Sequence, residues 1–182
     1  LRHICVFSIK KLMKSKKNIV FLGMMGSGKT SIGRSVSKKL NLDFFDIDEH
    51  IEAKLGMKIS KIFEYKGEPY FRKLEEKITL KTLKSKNSVI ALGGCGFINE
   101  KIRNEIMKNH LSFWLNWSDH ILLKRIKGSK KRPLALNSTP QEIKQLIKRR
   151  IKIYSKAQFK INCNKLSKSE IVKEVIKNYE LC

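Results

Sequence analysis

The stretch Asn18-Ile19-Val20-Phe21-Leu22-Gly23-Met24-Met25-Gly26-Ser27-Gly28-Lys29-Thr30-Ser31 constrains the chain more than any other. It is an apolar run that breaks into glycines and then into a helix-forming segment. Ile19 to Leu22 read as a buried strand, and the pattern from Ile32 to Leu40 reads as a helix. Gly23 and Gly28-Lys29-Thr30 fit the spacing G-x-x-x-x-G-K-[ST], which between a strand and a helix marks a phosphate-binding loop. Each residue type has its own reason. Glycines let backbone N–H groups curl around phosphate oxygens with no Cβ in the way, and the helix that follows presents its positive end. The Lys29 ammonium can reach the outer phosphates and the Thr30 hydroxyl can ligate Mg²⁺. Gly26, Ser27, Gly28, Lys29, Thr30 and Ser31 are therefore the expected nucleotide contacts. A turn that merely joins strand to helix has no use for Lys and Thr at those offsets.

With 182 residues the chain fits one domain, large enough to bury a core without disulfide or metal staples. The four cysteines, Cys5, Cys95, Cys163 and Cys182, show no C-x-x-C pair or His-linked zinc spacing, so a reducing, cytoplasmic setting is expected. No apolar run reaches the ~18 residues of a membrane span, and no membrane partner is expected. Residues 1–17 carry scattered basic residues and no turn or cap signal, and are expected to form a mobile extension before a single domain over 18–182.

A formal charge of +24 invites a nucleic-acid reading. The distribution argues against it: 32 of the 40 basic residues are Lys, spread over nearly every predicted helix, with no aromatic-interleaved patch for single strands. A solvated lysine surface is the simpler account. The eight arginines are more informative, because planar bidentate recognition selects Arg over Lys.

Strands and helices alternate along the chain. Strands are expected at 42–46, 88–92, 111–115 and 159–163, and helices at 31–40, 48–55, 60–65, 69–84, 99–108, 118–126, 139–154 and from Ser167 onward. Gly56 and Gly67 read as helix stops, and Thr139-Pro140-Gln141-Glu142 and Ser167-Lys168-Ser169-Glu170 as capping boxes. Residues 127–138 lack periodicity and read as an exposed functional loop. Mostly continuous apolar strands alternating with helices predict an α/β protein with a parallel sheet covered on both faces, its ligands beyond the carboxyl ends of the strands. The phosphate loop, Asp46-Ile47-Asp48 and Gly93-Gly94 all fall there.

Asp46 and Asp48 close the second predicted strand, where residues two apart point the same way, so both carboxylates can face the phosphate loop. One would orient Mg²⁺ and the other accept a proton from a substrate hydroxyl. Two acids capping the helix that contains Ile51 are the alternative reading.

Taken together, these motifs resemble shikimate kinase over roughly residues 18–179. The resemblance is carried by the phosphate loop, Asp46-Ile47-Asp48, Ile62-Phe63-Glu64-Tyr65-Lys66-Gly67-Glu68, Phe71-Arg72-Lys73-Leu74-Glu75, Leu92-Gly93-Gly94, Arg132-Pro133-Leu134, and Arg150 four residues before Tyr154. It implies a three-layer P-loop kinase fold with a five-stranded parallel sheet, a substrate-binding helical region and a mobile lid. It implies ATP and Mg²⁺ as cofactors, shikimate as substrate and a monomeric enzyme. Asp48 would hold the reacting hydroxyl, Arg72 and Arg150 the substrate carboxylate, and Gly93 and Gly94 the ring. Arg132 would be the lid arginine that reaches the transferring phosphate, Arg125 the nucleotide-side arginine, Thr30 and Asp46 the metal residues, and Glu75 the residue that orients Arg72. Bidentate Arg forks suit a small carboxylate.

The chain departs from the family at Cys95, where a third glycine is usual, and near Asn164 to Lys168, where the adenine contacts are not reproduced. Arg103, Arg149, Trp114, Trp117 and Cys163 receive no role beyond core or surface. Two rival readings stand beside the first. One is another small-molecule kinase of the same fold, such as a gluconate kinase; the other is a basic nucleic-acid-binding protein with a retained nucleotide site.

Overall fold

The computed structural model describes residues 17–127 and 138–182. The expected extension before residue 17 and nearly all of the expected lid, Arg132 included, lie outside the described residues. The strands are β1 (Ile19–Leu22), β2 (Asp43–Asp46), β3 (Ser88–Ala91), β4 (Leu111–Asn116) and β5 (Phe159–Asn162). All pair in parallel, in the order β2-β3-β1-β4-β5. Ile19–Leu22 is apolar at every position because β1 is the middle strand, hydrogen-bonded on both edges and covered on both faces.

Between the strands run α1 (Lys29–Leu40), α2 (Ile47–Leu55), α3 (Ile59–Leu83), α4 (Glu100–Asn109), α5 (Asp119–Lys127), α6 (Pro140–Tyr154) and α7 (Lys168–Glu180). Their ends follow the sequence signals. Gly56 closes α2 in the left-handed conformation at φ 63°. Thr139 with Glu142, and Ser167 with Glu170, form complete capping boxes at the starts of α6 and α7. The predicted stop at Gly67 is a break inside α3, where φ 75° and ψ 165° leave the helical range and Pro69 begins the second half.

Asn18, immediately before β1, fixes the sheet's position on α3. Buried to 1% exposure, it donates through Nδ2 to Leu83 O at 3.1 Å and Ser85 O at 2.7 Å. Its Oδ1 accepts from the Ser88 amide at 3.1 Å. The end of α3, the entry to β3 and the entry to β1 are thereby held by a single amide side chain. Asn18→Ala removes all three bonds and leaves their partners without a side-chain partner, so about 2–4 kcal/mol of stability should be lost. Urea unfolding measures this; a midpoint equal to the parent's would show that the three bonds contribute nothing net.

Candidate active site

At the carboxyl ends of β1, β2 and β3 lies a cavity of about 470 Å³, lined by the phosphate loop, the start of α2, both halves of α3, the turn after β3, and Arg150 of α6. Backbone geometry shapes the loop first. Gly23 has φ 139°, and a Cβ there would meet Leu115 O at 3.0 Å, so no other residue fits without moving β4. Lys29 Nζ donates to Gly23 O at 2.9 Å and Met24 O at 3.1 Å, folding the ammonium over the loop that it follows.

Thr30 Oγ1 donates to Asp46 Oδ2 at 2.6 Å, while Asp46 Oδ1 accepts from the Asp48 and Glu49 amides at 3.0 and 3.2 Å. Asp46 therefore caps α2 and faces the phosphate loop at once. For Asp46 the two readings are not alternatives, whereas Asp48 caps nothing among the described residues. The expectation that both acids belong to an extended segment is corrected: Asp48 lies in the first turn of α2, and it reaches the cavity because the helix begins there.

Asp48 is electrostatically unusual. Burial pushes its carboxyl up to about 6, the Asp46 and Glu75 charges adding to the rise and Lys29 and Arg72 opposing it. Since the folded pKa exceeds the unfolded one, the unfolded chain loses this proton first as pH rises. Stability falls between about pH 4 and pH 6 and the full penalty, about 3 kcal/mol, persists above. Asp48→Asn should thus raise stability over the parent at pH 8, with the gain vanishing near pH 4. Denaturant midpoints of both proteins across this range check it; a gain that grew on acidification would contradict the sign.

Gly93 is required by close approach, because a Cβ there would lie 2.8 Å from Asp48 Oδ1 and closer still to Glu75 Oε1. Glu75 is almost fully buried and its Oε1 has no hydrogen-bond partner among the described residues. Its Oε2 accepts from Arg72 Nη1 at 2.8 Å, and Glu68 Oε1 accepts from Arg72 Nε and Nη2 at 3.0 and 2.8 Å. The Arg72 guanidinium also stands 5.8 Å from the Phe63 ring centre and 5.1 Å from that of Phe71. Arg72 is thus fixed by two carboxylates and two rings.

Arg150 is held differently. It is buried to 8% exposure, and its guanidinium donates to sulfur: Nη2 to Cys95 Sγ at 2.7 Å and Nη1 to Met24 Sδ at 3.7 Å. Among the described residues no carboxylate pairs with it. Desolvation raises the Cys95 thiol pKa although both arginines pull it down, so the thiol is a neutral acceptor that leaves the guanidinium charge intact. Tyr154, one turn along α6, donates to Gly94 O and holds that glycine at the cavity wall.

The two arginines should respond oppositely to removal. Arg72→Met strands the buried Glu75 carboxylate and should cost about 3–5 kcal/mol, the usual cost of breaking a buried pair. Arg150→Met removes a buried cation without a carboxylate partner and should be neutral or stabilising in the ligand-free protein. Thermal unfolding of both variants without substrate tests the contrast; equal losses would mean that Arg150 is compensated after all.

A family model for shikimate kinase matches residues 25–180. The chain belongs to the shikimate kinase family. A shikimate kinase of Thermodesulfovibrio yellowstonii is 41% identical over 165 residues, covering 90% of this chain and 95% of the relative. One from Bartonella quintana is 39% identical, covering 98% and 87%. Among solved structures, shikimate kinase from Acinetobacter baumannii, determined in complex with shikimate, superposes with a TM-score of 0.87 at 29% identity over 93% of this chain and 96% of that one. A gluconokinase from Sinorhizobium meliloti, at 17% identity and TM-score 0.55, shares the fold alone.

For this kinase, the cavity brings together Gly26, Gly28, Lys29, Thr30, Ser31, Asp46, Asp48, Arg72, Gly94 and Arg150 from the residues expected on sequence. Ser27 differs, since it is buried to 1% exposure and its hydroxyl tucks under Gly23 instead of lining the cavity. Gly93 stands behind Asp48 and Glu75. Arg125 lies outside the cavity wall, with Nη1 3.3 Å from Gly26 O. Three contributors were missed: Glu68 on Arg72, Cys95 on Arg150, and Trp117, whose indole N–H donates to Ser27 O at 2.9 Å. The i,i+4 spacing of Glu68 and Arg72 was a usable signal. No sequence signal links Trp117 to Ser27, 90 residues away.

Proposed function

We propose that this chain transfers the γ-phosphoryl group of ATP to the 3-hydroxyl of shikimate, a step towards aromatic amino acids. The observation that carries the reading is the placement of Asp48, a carboxyl near pKa 6, in one cavity with Lys29 of the phosphate loop and with Arg72 and Arg150. Such a carboxylate is ionised at neutral pH yet basic enough to take a hydroxyl proton as the oxygen bonds to phosphorus. Arg150 supplies uncompensated positive charge to the substrate carboxylate, and Arg72, already balanced by Glu68 and Glu75, supplies a fixed fork. Gly94 gives the ring close backbone approach. Lys29 exchanges the Gly23 and Met24 carbonyls for phosphate oxygens, and Arg132, outside the described residues, would act on the same phosphates, as the family resemblance implies.

Mg²⁺ fits the oxygen donors at the loop: Thr30 Oγ1 and Asp46 Oδ2, 2.6 Å apart, are hard ligands of the kind this ion takes alongside phosphate and water. Bound there, it would neutralise charge on the phosphate oxygens. Thr30 and Asp46 would hold it, and Asp46 would keep its cap on α2 through its other oxygen. A cytoplasmic monomer with no specific nucleic-acid or membrane partner completes the reading; no described helix is long and apolar enough to cross a membrane.

A coupled ADP-release assay tests the function. Shikimate should stimulate release strongly and gluconate should not. Lys29→Ala should cut kcat/KM on the order of a hundredfold or more with the melting temperature nearly unchanged. Stimulation by gluconate alone, or full activity in folded Lys29→Ala protein, would overturn the reading.

A further inference from the structure

Trp117 follows β4 and is buried to 8% exposure. Its ring does two things at once. The indole Nε1–H donates to Ser27 O at 2.9 Å, and the Arg125 guanidinium lies 3.8 Å from the ring centre. Arg125 in turn donates through Nη1 to Gly26 O at 3.3 Å. With Lys29 on the carbonyls of Gly23 and Met24, four carbonyls of the phosphate loop point at side-chain donors.

A trans peptide is planar, so its C=O and the following N–H point opposite ways. Holding Ser27 O against Trp117 aims the Gly28 amide away from Trp117, and Gly28 is a residue that lines the cavity. The lock is needed because of what surrounds that peptide. Gly28 sits at φ 89° with no Cβ, so sterics alone permit the Ser27–Gly28 peptide to rotate. The Ser27 hydroxyl has no partner among the described residues and supplies no restraint of its own.

We propose that Trp117 is a positioning residue of the nucleotide site: it locks the Ser27–Gly28 peptide so that the Gly28 amide faces the phosphates, and its ring seats Arg125 on the Gly26 carbonyl. Trp117 touches no reacting atom. Its effect belongs to nucleotide binding and not to the half of the cavity that holds Arg72 and Arg150. The inference rests on the reading of the loop as a nucleotide site.

Trp117→Phe keeps an aromatic face under Arg125 and removes the N–H. The dissociation constant for MgADP and the KM for ATP should each rise about tenfold, as for one lost hydrogen bond to a buried carbonyl. The KM for shikimate should stay within twofold of the parent's. A second measurement needs no substitution at this position. With 5-fluorotryptophan incorporated into the whole chain, MgADP should shift the ¹⁹F resonance of Trp117, which Trp114→Phe distinguishes from that of Trp114. MgADP affinity and ATP KM within twofold of the parent, or a Trp117 resonance unmoved by saturating MgADP, would overturn the inference. A parent protein that binds no MgADP at all would overturn the nucleotide-site reading itself, and this inference with it.

Discussion

The Asp46 carboxylate joins the two halves of the cavity. One oxygen accepts from Thr30 at the start of α1 and the other from the first amides of α2. Two helix N-termini, each with its positive end towards the cavity, are thereby held at a fixed separation by one side chain. Asp48 depends on that link for its position, because it is the first-turn residue whose amide Asp46 accepts. The Asp48 carboxyl and the Thr30 hydroxyl are consequently placed by the same short acid, and a one-residue shift in either helix would disturb both.

Charge in the cavity is arranged so that a ligand completes it. Asp46, Asp48 and Glu75 crowd one side, and burial, with the neighbouring carboxylates adding to it, raises the pKa of the Asp48 carboxyl. Arg72 is balanced by two carboxylates and lies beside the paired Phe63 and Phe71 rings, so its guanidinium is held before any ligand arrives. Arg150 donates instead to two sulfur atoms, which are polarizable and accept hydrogen bonds without neutralising the cation. Cys95 is thus compatible with the site in charge and in hydrogen bonding. The cost is stability, since an ionised buried Asp48 and an unbalanced buried Arg150 both oppose folding.

Much of this was legible in the sequence where a local rule applies. The strand–loop–helix unit, the capping boxes at Thr139 and Ser167, and the stops at Gly56 and Gly67 follow from backbone requirements that act over a few residues. Glu75 on Arg72 follows from helical spacing. Arg150 is different: nothing in its neighbourhood distinguishes it from Arg149 beside it, and only the family resemblance singled it out. Trp117 escaped altogether, because a tryptophan after an apolar strand reads as core and its partner is a carbonyl, which sequence does not display. Asp46 was legible but as a choice between two roles, since a pattern of side chains does not reveal that the two carboxylate oxygens can serve different neighbours.

The break in α3 shapes one wall of the cavity. In one continuous helix, residues eight apart are separated by about 12 Å along the axis. The Phe63 and Phe71 rings are 4.8 Å apart, because the helix is kinked at Gly67 between them. The non-helical backbone at Gly67 therefore lets two aromatic side chains from different halves of the element pack against each other and offer one joint aromatic surface to the Arg72 guanidinium, so that the seat of a cation is set by a residue that has no side chain.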